Sequence, residues 1–184
     1  MTHILTRFRK RYPRISVKLR SGNTADVLKN LRSYDAEIGI VASQSPGRDM
    51  DTVNLGATKI TAFAARGFLP PGTQSLSLRD LGKWPLIFRE SGSKTRQKLE
   101  TKALKHGVTL TPAIEAEGRE TVRELVASGA GIGFVSMAEF SHDNRLVQLS
   151  LSDIDITMSE TVACLGQRRN VRVIRAFMDM ARNA

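Results

Sequence analysis

Residues 85–107 read PLIFRESGSKTRQKLETKALKHG. Residues 85–88 are a short apolar run, typical of a strand buried on both faces. Ser91, Gly92 and Ser93 break the run. A helical pattern follows, with Leu99, Ala103 and Leu104 as its apolar positions. His106-Gly107 closes that helix, since glycine readily takes the left-handed conformation just past a helix end. A strand turning sharply into a helix is the building unit of α/β folds.

The pattern extends in both directions. Downstream, residues 108–116 hold a strand, and residues 119–128 form a helix with Val122, Leu125 and Val126 facing inward. Gly129 ends that helix, and residues 132–135 form another strand. Ser136-Met137-Ala138-Glu139 has capping-box spacing for a further short helix. Residues 146–151 suit an edge strand and residues 157–165 another strand, and Asn170 can cap a last helix bearing Val173, Ile174, Phe177 and Met178. Upstream, Ile4, Phe8 and Tyr12 recur at helical spacing until Pro13. Ile15, Val17 and Leu19 then alternate as in a strand. Ser21-Gly22-Asn23-Thr24 is a turn able to cap a helix carrying Val27, Leu28 and Leu31. Residues 37–41 (EIGIV) read as a buried parallel strand, residues 53–65 as one or two strands, and residues 77–81 as a one-turn helix. Helices and strands alternate throughout, so the expected class is α/β.

The chain has 184 residues, enough for one domain or two small lobes. Its formal charge is +10, which invites a nucleic-acid reading. The charge is uneven, however. Residues 84–156 hold nine Lys/Arg and ten Asp/Glu, while the rest holds nineteen and eight. Two basic ends around a nearly neutral middle suit a middle segment inserted into a lobe built from both termini. No apolar run spans a bilayer, and no export signal precedes the first helix. With one cysteine, Cys164, the expected compartment is a reducing cytoplasm.

Ser91, Gly92, Ser93, Thr95 and Arg96 are candidates for holding an anion. They lie between a strand and a helix, where unpaired backbone N–H groups and the positive end of the helix dipole favour negative charge. Ordinary capping by Ser93, with Lys94 and Arg96 in water, accounts for the same residues, and both readings stay open. Arg119 follows Gly118 at the next strand-to-helix junction. Its guanidinium either takes phosphonate or carboxylate through two parallel hydrogen bonds or pairs with Glu115 or Glu120. Asn23 and Thr24 open a third helix, as caps, ligand contacts or both. The glycines of residues 129–133 follow a helix and precede a strand, the reverse of a dinucleotide fingerprint. Ser141-His142-Asp143 are consecutive and cannot form a catalytic triad. His3, His106 and His142 lack metal-ligand spacing. No cofactor, metal or catalytic residue is expected, and Cys164 reads as a small buried hydrophobe.

Several strings in order resemble the effector-binding domain of LysR-type transcriptional regulators. They are FRKRYP at 8–13, GNT at 22–24, DL at 80–81 with WPLI at 84–87, RESGSKTR at 89–96 and VASGAGIG at 126–133. The resemblance covers nearly the whole chain. It implies two Rossmann-like lobes joined by two crossover strands, as in type II periplasmic binding proteins. Lobe I would be residues 1–83 with 157–184, and lobe II residues 84–156. The family's winged helix-turn-helix and the first strand of lobe I are missing from this sequence, so operator DNA would be reached only through the absent N-terminal domain. The resemblance further implies a small anionic effector held between the lobes, a homodimer or higher oligomer, and no membrane partner. In the family the turn at 131–135 lies near the ligand, which adds Gly131 and Val135 to the candidates. A solute-binding protein of a transport system would share the fold. RSGNT at 20–24, EGRETVRE at 117–124, AEF at 138–140 and VACL at 162–165 with Arg168-Arg169 resemble a narrower subgroup associated with 2-aminoethylphosphonate breakdown. An aminophosphonate effector is therefore implied.

Overall fold

The computed structural model describes residues 2–43, 45–140 and 143–183. It is a mixed α/β protein. Its contacts divide the chain into two compact units, Met1–Gly56 with Ser159–Ala184, and Ala57–Met158. The chain leaves unit 1 within β2 (Met50–Ala65) and returns within β8 (Thr157–Leu165). Residues 57–83 belong by contact to unit 2, whereas the resemblance counts them in lobe I.

In unit 1, β1 (Gly39–Val41) pairs with β8 in the register Gly39↔Ala163, Ile40↔Val162 and Val41↔Thr161. The pairing is antiparallel, which corrects the parallel reading of residues 37–41. A continuous apolar run reports burial on both faces and does not encode strand direction. On one face α2 (Thr24–Arg32) lies so close to Gly39 that a Cβ there would sit 2.4 Å from Val27 Cγ1. On the other face Val53, Val162 and Cys164 form a core with Ile4 of α1 (Thr2–Arg11) and Ile174, Met178 and Ala181 of α6 (Arg172–Arg182). Phe8 locks the two helices together, its ring centroid 5.0 Å from that of Tyr12 and 5.2 Å from that of Phe177. Cys164 is fully buried. Burial, reinforced by Asp51, pushes its thiol above the ordinary value, which suits packing rather than reactivity.

Two expectations for this unit fail. No strand forms over residues 15–19, and Val17 and Leu19 are exposed. Alternation makes a strand only where a neighbouring edge supplies hydrogen bonds. The N-cap of α6 is Val171 rather than Asn170, and no side chain caps it.

In unit 2, residues 60–63 of β2 pair antiparallel with β6 (Gly133–Ser136), and residues 62–65 pair with β7 (Leu146–Leu151). β7 also pairs with β3 (Ser75–Leu76), so it is an interior strand, not the edge strand expected. β4 (Ile87–Arg89) runs parallel to β5 (Ile114–Ala116), and a parallel bridge between Leu86 and Ile132 leads on toward β6. Phe63, Ile87, Val122, Val126 and Leu146 form a core. α5 (Arg119–Ala127) contributes its two valines to it, and α4 (Lys94–Lys105) buries Leu99 and Ala103. Leu104, one residue further round the helix, is 69% exposed. Residues 137–139 form a turn, not the short helix expected. A one-turn helix, α3 (Leu78–Leu81), does form, with a capping box between Ser77 and Asp80. Among the described residues no helix is long and apolar enough to cross a membrane.

Candidate functional site

Because β4 and β5 are adjacent and parallel, in the register Arg89↔Ala116, their carboxyl ends leave the sheet together. α4 follows one and α5 the other, so both helix starts lie at one edge of unit 2. This is where open α/β sheets expose backbone N–H groups to ligands. Ser91, Gly92, Ser93, Thr95 and Arg96 are therefore gathered there with Arg119. Continuing the Leu86–Ile132 register sets Val135 level with Arg89, and the Phe88 and Phe134 rings, 5.6 Å apart, follow the same register. Gly131 lies at the opposite end of the strands. Its φ is +157°, and a Cβ there would come within 2.3 Å of the Pro85 carbonyl oxygen. Its absent side chain lets two strands approach, and the structure does not bring it to the helix starts.

Ser93 is the N-cap of α4, with φ −74° and ψ 123°, yet its side chain makes no capping hydrogen bond. It is only 2% exposed. The first turn of α4 contains no acidic residue. A helix start with neither a side-chain cap nor a carboxylate presents first-turn N–H groups that an incoming acceptor can satisfy. Thr95, also buried, places its hydroxyl 3.7 Å from Met158 Sδ, a weak interaction. Beside it lies a small recess lined by Ile87, Phe88, Arg89, Thr95, Arg96, Leu99 and Phe134.

Both arginines of the candidate set are engaged within unit 2. Arg96 donates from Nε to Glu100 at 2.9 Å and from Nη1 to the Arg89 carbonyl at 2.9 Å. It also pairs with Glu115 and lies over the Phe88 ring, 5.7 Å from its centroid. Burial works against its charge, but the hydrogen bonds it donates to Glu100 and Glu115 outweigh that, and the net shift is upward. Arg119 pairs with Glu139. At the start of α5, the Gly118 N–H donates to Glu90 Oε2 at 3.3 Å, and Glu90 is itself paired with Arg89. A protein carboxylate thus already serves α5, whereas α4 has none.

In unit 1, Asn23 and Thr24 open α2. Asn23 Oδ1 accepts from Asp26 N–H at 3.0 Å, and Asp26 Oδ2 accepts from Asn23 N–H at 3.3 Å, which completes a capping box. Thr24 Oγ1 accepts from Ala42 N–H at 3.2 Å. The sequence reading missed Thr161. This residue of β8 is 1% exposed, and its hydroxyl finds no partner among the described residues. Its signal was available: Ser159 and Thr161 are polar residues on the same face of β8 as Ala163 and Leu165.

Ser141 and His142 lie outside the described residues. Asp143 is held by Arg145 and Arg123, and those partners keep its carboxyl well below the usual range. Among the described residues no group of three or more His, Cys, Asp or Glu could hold a metal.

Comparison with known proteins agrees with this architecture. A family model described as LysR substrate binding domain matches residues 1–184. The HTH-type transcriptional activator CmpR of Synechocystis sp. is 25% identical over 152 residues, covering 83% of this chain and 50% of its own length. The HTH-type transcriptional regulator CbbR of Xanthobacter flavus is 27% identical, covering 95% of this chain and 54% of its own length. The chain thus spans about half the length of these relatives. The regulatory domain of CcmR from Synechocystis PCC6803, solved in complex with 2-PG, superimposes with a TM-score of 0.85 at 21% identity. That match covers 99% of this chain and 89% of the other. The fold is the type II periplasmic-binding-protein-like α/β fold.

Proposed function

The chain belongs to the family of LysR substrate binding domains, and we propose that it is a non-catalytic sensor whose α4 start binds a small anionic metabolite. The observation that carries this reading is Ser93: a buried N-cap residue whose side chain caps nothing, on a helix with no first-turn acid. An anion there would accept from the first-turn N–H groups and from the Ser93 hydroxyl, and would meet the positive end of the dipole. Arg96, already neutralised by Glu100 and Glu115, would orient this turn. Arg119 and Val135 remain in the proposed ligand set of this helix start, Asn23 and Thr24 stay as a separate proposed ligand contact of unit 1, and Gly131 drops out because it lies at the opposite end of the strands.

The strings at 20–24, 117–124 and 138–140 favour an aminophosphonate as the effector, and a phosphonate has three oxygens to match several N–H donors. The lobe division 1–83 with 157–184 and 84–156, self-association, a cytoplasmic location, and control of operator DNA through a separate N-terminal domain belong to the same proposal. The test is thermal unfolding of the protein with 2-aminoethylphosphonate, inorganic phosphate and simple carboxylates. Ligand at one hundred times its Kd stabilises by about 2.7 kcal/mol, which for a chain of this size raises Tm by roughly 5–10 °C. If no anion of the panel raises Tm, the sensor reading fails.

A further inference from the structure

We propose that unit 1 carries a face that grips the phosphate backbone of double-stranded DNA, built from Arg48, Arg168, Arg169, Arg172 and Arg175 around Tyr34. β8 joins unit 1 at Ser159 and ends at Leu165. At about 3.3 Å per residue, the segment that follows lies roughly 20 Å along the strand from that crossing. There the chain makes a 3-10 turn, Gly166–Arg168, and enters α6 with Arg172 and Arg175 one turn apart. The Gly166 N–H donates to the Asp49 carbonyl at 2.8 Å, which brings Arg48 alongside. Tyr34, just past the end of α2, accepts from Gln167 Nε2, and the Arg168 guanidinium lies 5.7 Å from the centre of the Tyr34 ring. Three separate stretches of sequence thus gather five arginines at one end of the unit. Arg48, Arg169, Arg172 and Arg175 are exposed. None of the five forms an ion pair among the described residues.

The surroundings leave the cluster positive. Residues 161–178 contain no Asp or Glu. Of the nearby carboxylates, Asp49 is held by Arg32 through hydrogen bonds of 2.9 and 3.2 Å, and Asp179 is held by Arg182. Asp35 and Glu37, beyond Tyr34, offset only two of the five charges. Cations at the start of α6 also oppose the helix dipole, so the cluster does not serve stability. Tyr34 points the same way. Its φ is +63°, and every other described residue with positive φ is a glycine. A side chain is strained in that conformation, and what it gains here is a ring that steadies Gln167 and Arg168. Arginine, not lysine, fills all five positions, and the flat guanidinium fork matches phosphate oxygens. A duplex presents about one negative charge per 1.7 Å of its axis, dense enough to engage several arginines of the cluster at once. This contact is additional to any made by a separate DNA-binding domain, and it does not depend on the anion reading.

The test is fluorescence anisotropy of a labelled DNA duplex of arbitrary sequence, titrated with the protein at several salt concentrations. The proteins compared are wild type, Arg168→Gln/Arg169→Gln, Tyr34→Gly and the charge-matched control Lys102→Gln/Lys105→Gln, at the far end of α4. In wild type the logarithm of the binding constant should fall with the logarithm of salt at a slope of about −3 to −5. Arg168→Gln/Arg169→Gln should flatten that slope by about 2 and weaken binding at least about 10-fold. The lysine pair should change binding less than about 2-fold. Tyr34→Gly should weaken binding at least about 3-fold while leaving Tm unchanged or higher, because glycine accepts the left-handed backbone. The proposal is overturned if wild type does not bind, if the lysine pair weakens binding as much as the arginine pair, or if Tyr34→Gly leaves binding unchanged or lowers Tm. Poly-glutamate that competes as strongly as unlabelled duplex at equal charge would also overturn it, by assigning the face to an acidic protein. The Tm response to phosphate and 2-aminoethylphosphonate reports separately on the anion reading.

Discussion

The starts of α2 and α4 resemble each other in sequence and differ in use. Each has a standard N-cap residue, Asn23 or Ser93. At α2 the cap residue has ψ 173°, and its side chain and Asp26 close a reciprocal box. At α4 the cap residue has ψ 123°, the third helical residue is Arg96, and no side-chain cap forms. Missing caps alone do not mark a site, since α6 also lacks one. The α6 start is exposed, with Val171 at 42%, so water can satisfy its N–H groups. What sets α4 apart is a missing cap combined with burial.

The strongest way to break this comparison is to give α4 the carboxylate that α2 already has. Ser93→Asp should occupy the helix start permanently. It should weaken phosphate or 2-aminoethylphosphonate binding at least about 100-fold, about 2.8 kcal/mol, measured by calorimetry. It should also stabilise the unliganded protein by about 1 kcal/mol. Undiminished binding would mean that the anion sits elsewhere.

A smaller effect separates the two starts by alanine. Asn23→Ala removes a formed cap and should cost about 1 kcal/mol in denaturant unfolding. Ser93→Ala removes no cap bond and should change stability by less than about 0.5 kcal/mol. Equal costs at both positions would erase the distinction.

The smallest test uses α3, which is capped as α2 is. Asp80 accepts from Lys83 Nζ and from the Ser77 hydroxyl and N–H, and these bonds lower its carboxyl to about 2. A carboxyl lowered on folding adds stability above its ordinary value, and that contribution is lost as pH falls from about 4 through about 2. A side-chain carboxyl titration by NMR should place the Asp80 midpoint near 2. A midpoint near 4 would mean that the box is open in solution.

Several local patterns were legible because their deciding contacts lie within a few residues, although the equally local signals at Ser136–Glu139 and Asn170 did not hold. The Asn23 cap needs only Asp26, the one-turn helix at 77–81 only its own residues, and the strand-to-helix turn after residue 88 likewise. Readings that depended on a distant partner went astray. Residues 15–19 had the alternation of a strand but no edge to pair with. Residues 146–151 proved interior because residues near 62 and 75 flank them. Arg96 carried a free charge on paper, and Glu115, nineteen residues away, takes it up.

The amino-acid order by itself determined the α/β alternation, the family, and the starts of α2, α3, α4 and α5, because these depend on short-range spacing and backbone preference. Only the tertiary structure decided that Ser93 is buried and caps nothing, that Glu100 and Glu115 take up Arg96, and that the Thr161 hydroxyl is left without a partner. Burial and hydrogen-bond satisfaction are set by what distant segments bring alongside, and no local pattern contains that information.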